Sequence, residues 1–337
     1  MPTLDEVAER AGVSRTAASR VINNVPHVSQ GKREAVERAV RELGYVPNPT
    51  ARALATRKVG AVVLAASSDE DELFADPFFA EVVVGVSAAL EQTDLELILV
   101  LANSPRGRAR LERMVRSRRA DGIMMMALRG DDPLARLGEE SGVPVVFGGL
   151  PLTGEPRRYV DADNRGGARL AAEHLARTGR SRPVMITGHV DTRVSVVREQ
   201  GFGEALRLAG VPLLDVASGD FLEEGGAEAM DQLLDAHPRL DAVFAASDAM
   251  AIGALRTLRR RGRRVPEDVA VVGFNDLASA RHSNPPLTTV HQPVRTLGRE
   301  MGRMLVEAMD GQDPSPLILP TRLVVRESAP ASLPAPR

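Results

Sequence analysis

Apolar residues recur along the first two dozen positions at the spacing of one helical face, then again at the spacing of a second. Leu4, Val7, Ala8 and Ala11 follow the i, i+3, i+4, i+7 rule, and Ala18, Val21 and Ile22 make a second inner face. Thr3 and Glu6 stand at capping-box spacing, each able to satisfy an orphan amide of the other's turn, so the first helix is predicted to begin at Leu4. Gly12 supplies the left-handed residue that ends it, Gly12-Val13 make the turn, and Ser14 caps the second helix. Behind Ser29, the stripe Val36, Ala39, Val40 and Leu43 closes a small core and stops at Gly44. Residues 1–46 are therefore predicted to form a compact all-α helix-turn-helix head.

From Val59 the period changes. Short apolar runs alternate with helix-period segments: GAVVLA, a helix from Pro77, LELILVL, a helix to about Arg118, GIMMMA, a helix near Leu134, then PVVFG. The pattern repeats as helix Arg165 to Thr178, strand Pro183 to Ile186, helices Ser195 to Ala209 and Gly225 to Ala236, strand Ala242 to Ala245, helix Ala249 to Arg261 and strand Val269 to Gly273. Such alternation predicts parallel α/β sheets in two similar lobes. Ligands of these sheets sit outside the carboxyl ends of the strands, so two facing lobes leave a cleft that a small molecule can close.

The polar side of the second helix carries the first candidate chemistry. Arg15, Thr16, Ser19, Arg20 and Asn23 point outward; Arg can take a guanine edge through two hydrogen bonds, and Thr suits a base or a phosphate. Thr3 and Ser14, at the two helix starts, complete the DNA-facing set. The competing reading is an ordinary three-helix cap with a solvated face. Between head and body, residues 47–58 hold Asn48 as a cap, Pro49 at a first helical position and a short predicted helix from Thr50 to Ala55. Two turns are unstable alone, so this hinge helix is expected to order on DNA, with Arg52 on phosphate and Leu54 wedged into the minor groove.

Charge supports that division. The formal net charge is −2, yet residues 1–58 hold ten basic against six acidic side chains and the remainder 33 against 39. With no cysteine, disulfides and Cys-based zinc sites are excluded; the six histidines show no metal spacing, and no cofactor is expected. No signal-like or membrane-length apolar segment is present, which predicts a cytoplasmic protein. Neither a nucleophile elbow, an HExxH nor a phosphate loop is found, so an enzyme is not expected.

The stretches LDEVAERAGVSRTAASRVIN, NPTARALATRKVGAVV, DPFFAEVVVGV, YVDADNRGGARLAAEHL, VFAASDAMAIGAL, VPEDVAVVGFND and PPLTTVHQPV resemble the lactose-repressor (LacI/GalR) family of transcription regulators nearly end to end. The resemblance implies a periplasmic-binding-protein-like (type I) body over residues 59–328. Lobe 1 would hold about 59–160 plus 291–319, and lobe 2 about 161–290 plus 320–328. It also implies that residues matching Arg15, Thr16 and Arg20 read operator bases and that Leu54 enters the minor groove. Ala17-Ala18 departs from the family's more frequent Thr-Val, which costs one phosphate contact.

Cleft candidates follow from both directions. Arg198 precedes the GFGEAL segment and Asn275 ends a strand, each a polar group where a ligand could meet it; in the family the matching positions bond effector oxygens. Phe221 matches a position where an aromatic ring stacks on the effector, and Phe79 and Gln292 match other pocket positions. Asp191, Arg193 and Ser247 complete the set. The plainer alternatives are helix core for Phe79 and a turn cap for Asn275. Gly148-Gly149-Leu150 stands where relatives place a polar anchor, and the acidic stretch Ser67 to Asp76 is expected to be solvated. Arginines between Arg256 and Asp268 are expected to be solvated at a helix C-terminus, Met124 to Met126 to be a buried strand, and residues 329–337 to be a loose tail.

The expected function is a homodimeric repressor on a pseudo-palindromic DNA operator, controlled by a sugar or oligosaccharide in the cleft. A nucleobase, another metabolite or a protein co-repressor is the alternative effector, and a solute-binding module with a vestigial head the alternative role.

Overall fold

In a computed structural model, the protein is described over residues 2–23, 27–46, 58–67, 73, 77–140 and 142–332, the side chains of 138–140 excepted. The hinge candidates Asn48, Arg52 and Leu54, and most of the acidic stretch, lie outside the described residues. Two compact units emerge, one of residues 1–60 with 118–121, the other of the remainder.

In the first unit, α1 (Leu4–Arg10), α2 (Arg15–Ile22) and α3 (Gln30–Leu43) stand where the pattern puts them. The Thr3 hydroxyl accepts from the Glu6 amide, the Thr3 amide donates to the Glu6 carboxylate, and Gly12 and Gly44 are left-handed. Val7, Ala8, Ala18, Val21, Val36 and Ala39 form the buried core, with Leu4, Ile22, Val40 and Leu43 packed on it.

The second unit carries two six-stranded sheets. The first has order β11-β5-β4-β3-β1-β2 and is parallel throughout: β1 (Ala61–Ala66), β2 (Glu96–Leu101), β3 (Gly122–Met126), β4 (Val145–Gly148), β5 (Tyr159–Ala162) and β11 (Leu317–Leu319). Its helices are α4 (Pro77–Leu90), α5 (Pro105–Arg116), α6 (Leu134–Glu140) and α12 (Val294–Met309). The second sheet has order β12-β10-β9-β8-β6-β7, formed by β6 (Pro183–Thr187), β7 (Val216–Ser218), β8 (Ala242–Ala245), β9 (Ala270–Asn275), β10 (Thr288–His291) and β12 (Arg322–Val324). Only the β10–β12 pair in it is antiparallel. Around it lie α7 (Asn164–Arg177), α8 (Arg193–Leu208), α9 (Glu223–Ala236), α10 (Asp248–Arg260) and α11 (Ala278–His282).

Apolar strands build the cores. β1 and β3 are buried along their whole length, Met124 to Met126 among them. α4 and α12 approach closely because Gly85 and Gly298 face backbone: a Cβ on Gly298 would lie 2.2 Å from the Val82 carbonyl oxygen. β5 belongs to the first sheet, so the first crossing between lobes lies at Asp163, just past its expected place. The other crossings fall between β10 and α12, near Gln292, and between β11 and β12, at Pro320.

Two expectations are corrected. The arginines after Arg256 are not merely solvated: Arg256 pairs with Glu223 and Glu224, and Arg261 with Asp231 and Asp235, all on α9, while Arg264 pairs with Asp268. The pairs of Arg256 and Arg261 form a charge ladder from α10 and its cap to α9. The loose tail does not begin at 329: Ala329 is buried, and its carbonyl accepts from His174 Nε2 at 2.7 Å and Thr288 Oγ1 at 3.1 Å. Ser328 anchors it by donating to the Val271 carbonyl at 2.6 Å.

Candidate functional site

The head presents α2. Ser14 Oγ accepts from the Ala17 amide at 3.3 Å, which fixes the helix start, and Arg15, Thr16 and Arg20 stand exposed beside it. Arg15 is 3.5 Å from the Asp5 carboxylate, with both side chains largely in solvent, so that pairing costs little to exchange. Ser19 and Asn23 are half-buried; Asn23 Nδ2 donates to the Ser19 carbonyl at 2.9 Å and to its hydroxyl at 3.3 Å. Thr3 is exposed with its hydroxyl engaged in the cap.

The body holds a cavity of about 220 Å³ between the lobes, lined by the residues that follow the strands. Ala127 to Arg129 come after β3, Gly149 to Pro151 after β4, Phe221 after β7, Ser247 after β8 and Gln292 after β10, while Asn275 is the last residue of β9. This is the placement expected of a doubly wound sheet, where strand ends converge on the ligand. Seven of the eight cleft candidates line it: Phe79, Arg193, Arg198, Phe221, Ser247, Asn275 and Gln292. Asp191 does not; its carboxylate meets Arg129 at 3.3 Å.

A polar chain runs along the cavity past two of the crossovers, at Asn164 and at Gln292. Asn164 Nδ2 donates to Asp161 at 2.9 Å, and Arg198 Nε donates to Asn164 Oδ1 at 2.9 Å. The same guanidinium donates to the Ala246 carbonyl and to Gln292 Oε1, and Gln292 Nε2 donates to Asn275 Oδ1 at 3.0 Å. Arg198 also lies 3.6 Å above the Phe274 ring, an added anchor for a buried cation. Burial pulls the Arg198 guanidinium down to about 9 against the opposing pull of Asp161 and Asp248, and burial likewise raises the Asp161 carboxyl above its ordinary range.

Sequence reasoning missed Asp161 and Asn164, although both lie in the VDADN stretch; what makes them site residues is the chain crossing there. Arg129 and His189 were missed too. Arg129 approaches His189 Nδ1 at 3.2 Å, and the Gly130 amide donates to the Asp191 carbonyl at 2.7 Å, so these residues join the two lobes beside the cavity.

Part of the remaining wall is aromatic. Phe79 is buried in the first lobe's core with one side toward the cavity. Phe221 has a left-handed backbone, φ 69°, as has Asn275, φ 117°. Non-glycine residues held there point to surroundings that over-determine them, which is common at ligand sites. Ser247 Oγ caps α10 by accepting from Met250 at 3.2 Å, so its structural duty is met within the protein.

A sequence model of bacterial regulatory proteins of the lacI family matches residues 3–48, and one of a periplasmic-binding-protein-like domain matches residues 172–329. The chain is 47% identical over 334 residues to the HTH-type transcriptional regulator CelR of Thermobifida fusca, covering 97% of this chain and 98% of that one. It is 32% identical to the HTH-type transcriptional repressor PurR of Vibrio atlanticus, covering 93% of both. Among solved structures, a transcriptional regulator CelR–cellobiose complex matches with 46% identity and a TM-score of 0.77, over 97% of this chain and 100% of that chain. The lac repressor dimer bound to operator and the anti-inducer ONPF matches with 28% identity and a TM-score of 0.85, over 98% and 99%. With a helix-turn-helix head and a two-lobed body, and with relatives of this identity along nearly its whole length, the chain belongs to the lacI family of DNA-binding transcriptional regulators.

Proposed function

We propose that the protein is a cytoplasmic repressor that binds a pseudo-palindromic operator as a homodimer and is controlled by a sugar, of the disaccharide class, in the interlobe cleft. The observation that carries this reading is the polar chain Asp161–Asn164–Arg198–Gln292–Asn275 lining one cavity with Phe79 and Phe221. Sugars offer hydroxyls to planar polar groups and C–H faces to aromatic rings, and this cavity has both. The cellobiose held by a relative at 46% identity agrees with it. Gly148-Gly149-Leu150 adds no polar side chain to the wall, so discrimination falls to the polar chain and to lining residues such as Arg193 and Asp220.

At the DNA, Arg15, Thr16 and Arg20 take base edges, and Thr3, Ser14, Ser19 and Asn23 take the flanking backbone, with Asn48, Arg52 and Leu54 supplying the hinge contacts. Arg20→Ala should weaken operator binding by roughly 1–3 kcal/mol and relax specificity at one position. Effector and operator affinities are coupled reciprocally, since each site shifts the same equilibrium. The cleft binds its ligand without converting it, so recovered sugar should be unchanged after incubation.

The test is thermal unfolding with cellobiose, other disaccharides and nucleobases. A ligand at 100 times its dissociation constant adds about 2.7 kcal/mol. A shift with disaccharides that also releases operator supports the reading; a shift with nucleobases alone overturns it.

A further inference from the structure

Between Ser104 and Ala120 the chain places seven arginines, Arg106, Arg108, Arg110, Arg113, Arg116, Arg118 and Arg119, against a single carboxylate, Glu112. None of the seven makes an ion pair or a side-chain hydrogen bond among the described residues. On other helices of the body arginines are tied down: Arg256, Arg260 and Arg261 on α10 and its cap, and Arg295 and Arg303 on α12, all meet carboxylates. What sets α5 apart is seven arginines without such a bond among the described residues, in one short stretch.

Helix stability does not account for it. Arg113 and Arg116, in the last turn, suit the dipole, but Arg106 and Arg108 stand near the first turn, where no acid accompanies them and positive charge is unfavourable. Gly107, Leu111 and Val115 are the buried face; Arg106, Arg110 and Arg113, at i, i+4 and i+7, are exposed and form one stripe of like charge that repels itself. Such a stripe over about 10 Å of helix fits a regularly charged anionic backbone.

Position favours nucleic acid over an acidic protein. The helix ends at Arg116; Arg118 and Arg119 follow it, and the next carboxylate, Asp121, accepts from the Val59 amide at 2.8 Å and the Gly60 amide at 2.7 Å. Residues 59 and 60 close the segment that arrives from the DNA-binding head. The segment that follows α5 is therefore bonded to the residues that follow the head in sequence.

We propose that the exposed arginines of α5, with Arg106, Arg110 and Arg113 at their centre, form a second, sequence-independent contact of the regulator with the phosphate backbone of duplex flanking the operator. The proposal rests on the DNA-binding role of the family and adds a surface of the body to it. Guanidinium groups suit phosphate through paired hydrogen bonds, and no base contact is required.

The test measures operator affinity of the full chain against salt, on the bare operator and on an operator extended by one helical turn at each end. The variant is Arg106→Gln/Arg110→Gln/Arg113→Gln. On the extended duplex, the slope of log K against log salt should fall by about 0.9 for each phosphate that is no longer neutralised. On the bare operator, affinity and slope should match the unaltered protein, which shows that the head still reads its site. Equal slopes for both proteins on both duplexes overturn the proposal, and so does a variant that keeps its DNA slopes but fails to bind polyglutamate where the unaltered protein does, because that result assigns the stripe to acidic protein. Absence of binding to the bare operator by the unaltered chain would instead count against the regulator reading itself.

Discussion

Arg129 of the first lobe and Asp191 of the second meet at 3.3 Å, and the backbone repeats the connection, the Gly130 amide donating to the Asp191 carbonyl at 2.7 Å. This places a charged tie and a neutral one side by side across the cleft. Both side chains are about a third or more exposed, so the ion pair is worth at most about 1 kcal/mol and is screened by salt. Asp191→Asn should therefore lower effector affinity by no more than about fivefold in dilute buffer, and by nothing measurable at about 0.5 M salt, a strength well above that at which the screening length is about 8 Å. Calorimetric titration at two salt strengths checks this; a loss that persists in high salt would show that Asp191 acts on the ligand directly.

Arg198 should be far less replaceable. Its fork holds Asn164, Ala246 and Gln292 together over the Phe274 ring, and a hydrogen bond to a charged group contributes about 1.5–3 kcal/mol. Lysine keeps the charge but not the fork. Arg198→Lys should cut effector affinity at least tenfold, about 1.4 kcal/mol or more, while the melting temperature falls by only several degrees. Titration and thermal unfolding of the same preparation separate the two; effector affinity unchanged in the variant would remove Arg198 from the site.

These two residues mark how far the chain is legible before folding. The head was readable in full because its caps and stripes are local: Thr3 with Glu6, Ser14 with Ala17, Val36 with Ala39. In the body, Asn275 was readable from its place at a strand end, and Arg198 from its place before the GFGEAL segment and its match to the family. The three-residue strands β7, β11 and β12 were not, since three residues show no period and each is specified by its sheet neighbour. Asp161, Asn164 and Arg129 owe their roles to where the chain crosses or to a partner some sixty residues away. The arginines of α10 looked unpartnered along the chain for the same reason, their carboxylates lying on α9.

His174 gives a pH dependence with a definite sign. Burial holds its imidazole below the ordinary 6.5, outweighing the bond to the Ala329 carbonyl. The unfolded chain then binds the proton more readily than the folded one, so the stability tied to this group is present above pH 6.5 and is lost as pH falls below it. Gln in its place can still donate to Ala329 and does not titrate. The melting temperature of the unaltered protein should drop more steeply between about pH 7 and pH 5 than that of His174→Gln; parallel curves would mean that His174 takes up its proton without leaving its site.

Gly188 and Phe221 make the sharpest test of the aromatic wall. A Cβ on Gly188 would lie 2.0 Å from the Phe221 ring, closer than non-bonded atoms tolerate. The ring cannot escape by a small backbone shift, because Phe221 is already held in the left-handed region. Gly188→Ala must therefore displace the ring from the cavity it lines, while α2, in the other unit, keeps its sequence and caps. Effector affinity should fall at least tenfold in Gly188→Ala and similarly in Phe221→Ala, with effector-free operator binding retained in both. If the glycine acts through the ring, the double variant should be no worse than Phe221→Ala alone, a non-additivity expected only of residues that share one interaction. Losses that add in the double variant would give Gly188 an effect of its own, independent of the Phe221 ring.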